Sequence, residues 1–212
     1  YLKRRKQITS GNFDVKDFIG YDETRKLYYY SSYEDSSIEL YIYCIDAKGN
    51  KKNISPKKGW NEVKHSKNFN YFIIENSSSD NVPTIILYRN ELSIDDNGIT
   101  GKLTEIKVLT DNTALQEKLN SIEYIPKKEF FTSLASDGKT ELNMCIMKPK
   151  KMIEMENKNE IPDPKKKFPL LITLYGGPNC QYVKNKFNLC WKSYLVQEGF
   201  IVAFIDPRGT AA

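Results

Sequence analysis

The sequence predicts an all-β region followed by an α/β region, and three observations support this. Short runs of aromatic and β-branched residues, separated by polar turns, fill the chain from Gly11 to about Val108. A similar opening pattern occurs twice within that stretch. Two near-continuous apolar runs later flank a segment with helical spacing, which is typical of strands buried on both faces of a sheet. The boundary between the regions is expected near residues 109–125.

Eight strands are predicted in the first region, in two series of four. Each is a short run of strand-forming residues bounded by turn residues. The first series comprises Phe13–Tyr21, Lys26–Ser31, Glu39–Ile45 and Lys51–Ile54, and the second comprises Trp60–His65, Asn70–Glu75, Thr84–Tyr88 and Leu103–Leu109.

The two series open on similar sequences, Gly11-Asn12-Phe13-Asp14-Val15-Lys16 and Gly59-Trp60-Asn61-Glu62-Val63-Lys64. A repeat of about 40–50 residues with four strands is typical of a β-propeller blade. Two blades, each a four-stranded antiparallel sheet, are therefore predicted. Because a blade buries its faces only against neighbouring blades, the chain is expected to begin partway round a ring. A β-sandwich is the alternative, but it accounts less well for the repeated opening.

The second region is predicted to begin with a short helix over residues 113–121. Thr113 and Gln116 are spaced as a capping box, and the apolar residues that follow share one helical face. A hairpin is expected next, with strands Glu129–Ser133 and Glu141–Met147 joined across an Asp-Gly turn. Residues 148–167 are charged and contain prolines, so they are predicted to form an exposed loop.

The last two predicted strands, Pro169–Tyr175 and Phe200–Ile205, flank a helix from about Lys186 to Glu198. Gly199 stands where such a helix would end. Continuous apolar strands on either side of a helix predict a parallel β-α-β unit. The apolar stripe of the helix, predicted to face the core, comprises Phe187, Trp191, Tyr194 and Leu195.

Composition excludes several classes of function. The chain has 32 Lys and Arg residues against 27 Asp and Glu residues, and the basic residues are scattered, so no nucleic-acid partner is expected. No apolar run approaches the roughly 20 residues that span a bilayer. A single histidine and no Cys-x-x-Cys pair predict that the chain binds no metal, and nothing implies a cofactor. The cysteines are Cys44, Cys145, Cys180 and Cys190, and the N-glycosylation triplets begin at Asn53 and Asn76.

The turn Tyr175-Gly176-Gly177-Pro178 follows the first of the late apolar strands. Loops at the carboxyl end of a strand in an α/β sheet face the crevice where ligands bind. A phosphate-binding loop would need a richer glycine pattern, which is absent. A purely structural turn and an oxyanion-hole loop are both open on these four residues alone. The order of elements, hairpin, strand, turn, helix and strand, favours the second, because an α/β-hydrolase domain begins in this way.

The same segments resemble the dipeptidyl peptidase IV-like serine peptidases of the prolyl oligopeptidase family. In the second region the resemblance rests on FPLLITLYGGPNCQ (168–181), FNLCWKSYL (187–195) and FIVAFIDPRGTAA (200–212). In the first region it rests on ITSGNFDV (8–15), KLYYYSS (26–32) and VLTDNTALQEKLNSI (108–122). It covers nearly the whole chain, and its specificity comes from the spaced combination.

The resemblance implies that residues 1–110 are the last two blades of an eight-bladed β-propeller. Residues 111–212 would begin an α/β-hydrolase domain that is cut before its nucleophile. By the same resemblance Tyr175 gives its hydroxyl to the oxyanion hole, and Pro178 and Gln181 line the leaving-group side of the cleft. The sequence has no Gly-x-Ser-x-Gly, and its histidine, His65, falls in a predicted blade strand, so His65 is expected to be structural.

The implied activity is release of dipeptides from peptide N-termini, with proline or alanine at the second position, through a serine acyl-enzyme. Peptides are thus the expected substrates, although this stretch alone would be inactive. Dimerisation through the hydrolase domain and the last blade, and a membrane-anchored (type II), secretory or extracellular location, are implied by resemblance only. Two alternatives stay open: a catalytically dead homologue that acts as a partner of a membrane protein, or another propeller-capped peptidase such as an oligopeptidase or acylaminoacyl peptidase.

Overall fold

A computed structural model describes residues 6–158, 167–178 and 180–210 of the chain. These residues group into two compact units. Unit 1 contains the residues up to Ser78 together with Pro83–Asp111, and unit 2 contains Ser79–Val82 and the residues from Asn112 onward. Among the residues just given, no helix has the length and apolar character needed to cross a membrane.

The first sheet of unit 1 has four antiparallel strands that pair in chain order. Its two central strands consist mostly of tyrosine, leucine and isoleucine, which favour the strand conformation and are buried. Strand β1 shows register shifts against β2 near Gly20, whose φ of +155° suits a residue without a Cβ. The strands are β1 (Val15–Asp22), β2 (Leu27–Ser32), β3 (Tyr41–Ile45) and β4 (Lys51–Asn53).

The second sheet of unit 1 is also four-stranded and antiparallel. A separate small hairpin, which was not predicted from the sequence, lies along the chain between the third and fourth strands of this sheet. The sheet strands are β5 (Trp60–His65), β6 (Tyr71–Ser77), β7 (Thr84–Asn90) and β10 (Leu103–Thr110), and the hairpin strands are β8 (Ser93–Asp95) and β9 (Gly98–Thr100). All eight predicted strands of this region are present, with bounds that differ by a few residues.

The core of unit 1 lies between its two sheets. Apolar side chains from β2 and β3 pack in one cluster with side chains from β6 and β7, which removes their area from water and stabilises the pair of sheets. The fully buried members include Leu27, Tyr29, Ile42 and Phe72.

Unit 2 has a four-stranded mixed sheet in the order β11-β12-β14-β13. Strands β13 and β14 are parallel, which confirms the predicted β-α-β unit, and the other pairs are antiparallel. The helix predicted at 113–121 and the predicted hairpin are also confirmed. The elements are α1 (Thr113–Asn120), β11 (Glu129–Leu134), β12 (Glu141–Met147), α2 (Lys150–Asn157), β13 (Leu170–Leu174), α3 (Trp191–Gln197) and β14 (Ile201–Ile205).

The expected loop over residues 148–167 was wrong in part. Its first half forms the helix α2, which begins directly after Pro149 and buries none of its side chains. Proline is well tolerated at the start of a helix because the first turn needs no N–H donor there. Residues 159–166 of that prediction lie outside the described residues.

The helix predicted from Lys186 begins only at Trp191, because Cys190 has an extended backbone. Its predicted core stripe was also wrong. The side chains of Trp191 and Tyr194 are 62% and 60% exposed, and the residues of α3 that are buried are Ser193 and Val196. Apolar spacing identified the helix, but it did not identify the face that packs on the sheet.

Candidate functional site

Tyr175 lies directly after β13, at the carboxyl edge of the unit 2 sheet, and 51% of it is exposed. Its ring folds back over Gly177. A Cβ added at Gly177 would lie 2.3 Å from the ring carbon Cε1 of Tyr175 and 3.0 Å from its hydroxyl. Glycine at position 177 therefore allows the Tyr175 ring to lie over the backbone, because the Cβ of any other residue would displace the ring. At Gly176, by contrast, an added Cβ would meet nothing within 4 Å.

Tyr182 supports Tyr175 from the side. The two ring centroids are 6.4 Å apart with an interplanar angle of 69°, an edge-to-face arrangement that favours a fixed relative orientation. The ammonium group of Lys192 lies 5.2 Å from the centroid of the Tyr182 ring and 5.0 Å from that of Phe204. The surface beside Tyr175 is thus aromatic and positively charged.

Asp206 follows β14, which runs parallel to β13 and ends at the same edge of the sheet. Only 4% of this residue is exposed. Its Oδ1 accepts the backbone N–H of Tyr182 at 2.7 Å, and its Oδ2 accepts the backbone N–H of Val183 at 3.0 Å. Burial raises the pKa of the Asp206 carboxyl, while these two donors and the charge of Lys184 act in the opposite direction.

The other two predicted site residues differ in their exposure. Pro178 is exposed in the turn, whereas Gln181 is 5% exposed and its Nε2 donates to the Val183 carbonyl at 3.0 Å. Gln181 therefore presents little surface to a ligand. The assignment of both residues to the leaving-group side stays a prediction.

Tyr182 and Asp206 were not identified from the sequence as site residues. A signal for Asp206 was present, since it directly follows an apolar strand parallel to the one that ends at Tyr175. Nothing in the sequence indicated that the Tyr182 ring contacts Tyr175, because that contact depends on the path of the intervening turn.

His65 and the buried cysteines have no geometry for catalysis. The His65 ring stacks on Phe69 with centroids 4.3 Å apart, and its Nδ1 lies 3.0 Å from the carbonyl oxygen of Ser66. Burial raises the pKa of the Cys44 thiol to about 12 and that of Cys145 to about 11, so both stay protonated and unreactive at neutral pH. Within the described residues no group of His, Cys, Asp and Glu side chains is arranged to hold a metal ion.

Comparison with known proteins shows that the chain is similar to dipeptidyl peptidases. The structure resembles the crystal structure of Porphyromonas gingivalis dipeptidyl peptidase 4, with a TM-score of 0.80 and 33% sequence identity over 98% of this chain and 26% of that one. Its antiparallel multi-stranded sheets match those of that protein. A family model described as "Dipeptidyl peptidase IV (DPP IV) N-terminal region" matches residues 2–84.

Curated relatives agree with this class. The Bos taurus protein "Prolyl endopeptidase FAP" is 40% identical over 108 residues, which is 50% of this chain and 12% of that protein. The Trichophyton verrucosum protein "Probable dipeptidyl peptidase 4" is 29% identical over 210 residues, which is 96% of this chain and 25% of that protein. The chain thus spans a quarter or less of these two relatives. It is dipeptidyl peptidase IV-like, and the resemblance predicted from the sequence is confirmed.

Proposed function

We propose that this chain is part of a serine-type dipeptidyl peptidase that removes dipeptides from peptide N-termini, with proline or alanine at the second position. In this proposal unit 1 holds the last two blades of a β-propeller, and unit 2 begins an α/β-hydrolase domain. The observation that carries the proposal is the placement of Tyr175: an exposed phenol at the carboxyl end of a strand in a parallel β-α-β unit, with its ring folded over Gly177.

Tyr175 would act as one donor of the oxyanion hole. A phenol aimed at the scissile carbonyl stabilises the negative charge that develops as the tetrahedral intermediate forms. The proposed reaction also requires a nucleophilic serine with its histidine and acid. These 212 residues contain no Gly-x-Ser-x-Gly, and His65 is stacked within unit 1. The nucleophile, base and acid would therefore be contributed by other residues of the whole protein.

The sheet topologies support the two proposed domains. Each sheet of unit 1 has four antiparallel strands, the arrangement of a propeller blade. In unit 2 an antiparallel hairpin leads into a parallel strand pair with a helix in the crossover, the order with which an α/β-hydrolase domain starts.

The experiment that tests the proposal is a Tyr175→Phe substitution in the full-length protein, assayed on a Gly-Pro chromogenic substrate. We expect kcat to fall by at least about tenfold, a modest bound for the loss of one oxyanion donor. Tyr194→Phe is the matched control, since Tyr194 is also an exposed tyrosine of unit 2 and should leave kcat unchanged.

Three other outcomes would favour one of the alternative functions or remove the role proposed for Tyr175. A wild-type protein without peptidase activity would favour the catalytically dead homologue. Faster cleavage of N-acylated peptides or internal prolyl bonds than of free N-terminal dipeptides would favour another propeller-capped peptidase. Wild-type kcat in Tyr175→Phe would remove the oxyanion assignment and leave the peptidase class intact.

We also propose that the protein enters the secretory pathway, membrane-anchored or secreted, and that it dimerises through the hydrolase domain and the last blade. A glycan would then attach at Asn53 in preference to Asn76. Asn53 is exposed, and its Nδ2 donates one hydrogen bond, to Asp35 at 2.6 Å. The Nδ2 of Asn76 donates two, to the Lys58 carbonyl and to Asn61 Oδ1, each at 3.0 Å. A sugar replaces one amide hydrogen, so it would break one of the two bonds at Asn76.

A further inference from the structure

Asp206 is held firmly at the edge of the unit 2 sheet. Its own backbone N–H donates to the carbonyl of Asn143 on the neighbouring strand β12 at 3.0 Å. Both oxygens of its carboxylate are used, one by the N–H of Tyr182 and the other by the N–H of Val183. The sheet therefore fixes the carboxylate, and the carboxylate fixes two successive residues of the segment after the Tyr-Gly-Gly-Pro turn.

The fixed segment leads directly to Tyr175. Val183 is fully buried and accepts the amide of Gln181 on its carbonyl, so residues 181–183 have a single path. That path presents the Tyr182 ring outward, edge-on to the Tyr175 ring. The Tyr175 ring lies over the backbone at Gly177, and the Tyr182 ring limits its movement on the side that it contacts.

We propose that Asp206 is a positioning residue of the peptidase site, which holds Tyr182 by its backbone and through the Tyr182 ring keeps the Tyr175 hydroxyl in place. This inference rests on the proposed role of Tyr175. Asp206 itself does not touch the substrate; it acts through two hydrogen bonds and one aromatic contact. An oxyanion donor is effective only when it is held in place before the charge develops, which gives such a chain of contacts a function.

The chemistry of this position requires a carboxylate. Two backbone donors approach two separate oxygens, and each oxygen is an acceptor. In Asp206→Asn one oxygen is replaced by an amide NH2 group, which is a donor and would face the N–H of Tyr182 or of Val183. The substitution thus breaks one of the two hydrogen bonds without creating a cavity.

A double-mutant cycle in the full-length protein tests the inference. On the Gly-Pro substrate we expect Asp206→Asn to lower kcat by about tenfold, because a displaced catalytic group loses its alignment, with KM changed by less than about threefold. Combined with Tyr175→Phe it should lower kcat little further, since both changes remove the same donor. Multiplicative losses, or a normal kcat in Asp206→Asn, would overturn the inference.

Asp46→Asn is the matched control. Asp46 is 3% exposed and its Oδ1 accepts the backbone N–H groups of Lys48 and Asn50 at 2.8 and 2.9 Å, but it lies in unit 1. Its kcat should stay within about twofold of wild type. A loss equal to that of Asp206→Asn would show that removing any buried carboxylate impairs the protein, and the inference would fail.

A second variant and a readout independent of activity cover the case in which Asp206→Asn does not fold. Tyr182→Ala leaves both hydrogen bonds to Asp206 and removes only the ring, so it should lower kcat by about tenfold and be non-additive with Tyr175→Phe. A normal kcat in Tyr182→Ala would overturn the proposed path.

Hydrogen exchange tests the anchor itself. In Asp206→Asn the amide that loses its acceptor, that of Tyr182 or that of Val183, should exchange at least about tenfold faster. Unchanged exchange would refute the positioning role even if kcat fell. If Tyr175→Phe alone were fully active, the proposed function of Tyr175 would fail, whereas faster exchange would still report that Asp206 anchors the segment.

Discussion

The guanidinium group of Arg25, in the turn between β1 and β2, donates from Nη2 to the main-chain carbonyl of Asn90, the last residue of β7 in the other sheet of unit 1, at 3.1 Å. The same side chain donates from Nε to the Leu92 carbonyl at 3.2 Å and from Nη1 to Asp22 Oδ2 at 2.9 Å. Asp22 is only 2% exposed. One arginine thus pairs with a buried carboxylate and links the turn between β1 and β2 to the end of β7.

Arg25→Ala should lower the free energy of unfolding of unit 1 by about 3–5 kcal/mol, because it leaves the Asp22 carboxylate buried without its cation. Urea denaturation followed by the fluorescence of Trp60, in a Trp191→Phe background, reports on this unit. Arg89→Ala is the control: its pair with Glu91 spans 3.9 Å between exposed side chains and should cost less than about 1 kcal/mol. Equal losses in the two variants would contradict the assignment.

Tyr29 and Tyr30, neighbours on β2, should respond in opposite ways to removal of the hydroxyl. The Tyr29 hydroxyl accepts the Asn90 side-chain amide at 2.9 Å, so Tyr29→Phe should lower the free energy of unfolding by about 1–2 kcal/mol. The Tyr30 hydroxyl is buried without a hydrogen-bond partner among the described residues, and burial raises its pKa to about 12.

Tyr30→Phe should therefore leave the free energy of unfolding unchanged or raise it by up to about 1 kcal/mol, since a buried polar group with no partner is removed. The same urea titration measures both variants. A loss in Tyr30→Phe as large as that in Tyr29→Phe would show that its hydroxyl has a partner.

The pKa of the Asp137 carboxyl should lie well below its usual range. The backbone N–H of Thr140 contributes most, followed by the Thr140 hydroxyl and the backbone N–H of Lys139, and Arg208 contributes least although its Nη1 lies 3.0 Å from Asp137 Oδ2. Because the pKa is lowered on folding, the stabilisation is complete above about pH 4 and is lost as the pH falls through the lowered value.

An NMR titration of the Asp137 carboxyl carbon checks the order of these causes. Thr140→Val removes the hydroxyl and should raise the pKa further than Arg208→Ala, which removes only the weakest contribution. The reverse order would mean that the ion pair with Arg208, and not the turn, sets the charge of Asp137.

Glycan attachment should distinguish the two acceptor triplets. In protein secreted from a eukaryotic host, Asn53→Gln should remove a glycan, detected as a mass shift after enzymatic deglycosylation. Asn76→Gln should not change the glycan but should lower the free energy of unfolding by about 1 kcal/mol or more, because the Asn76 amide bridges Lys58 and Asn61. A glycan on Asn76 of the folded protein would contradict this prediction.

Most of the fold followed from local patterns, and what was missed depended on context. Strands such as β3 consist mostly of tyrosine and isoleucine, residues that strongly favour the strand conformation. Strands β8 and β9 are three residues each, too short to show a period, and they exist because they pair with one another. Helix α2 was missed because its charged composition resembles that of a loop.

The candidate site divides in the same way. The position of Tyr175 at the edge of the sheet was predictable because it follows an apolar strand and precedes two glycines. Its assignment to the oxyanion hole came from the resemblance and stays a proposal. The buried position of Gln181 and the contact between the Tyr175 and Tyr182 rings were not predictable. The path of this segment depends on two hydrogen bonds, from Tyr182 and Val183, to a residue more than twenty positions further along the chain, Asp206. The spacing of residues within a short motif cannot reveal a hydrogen bond between residues so far apart in the sequence.

The strand order β11-β12-β14-β13 has a consequence for synthesis of the chain. Strand β12 pairs with β14, and more than fifty residues separate the end of one from the start of the other. At about 5–20 residues per second, the ribosome would leave the open edge of β12 without its partner for roughly 3–10 s. Lys148 and the lysines at the start of α2 follow β12 closely, and charged residues that flank an apolar strand discourage it from pairing with other chains. This charged segment is thus expected to protect the hairpin of β11 and β12 until β14 has been synthesised.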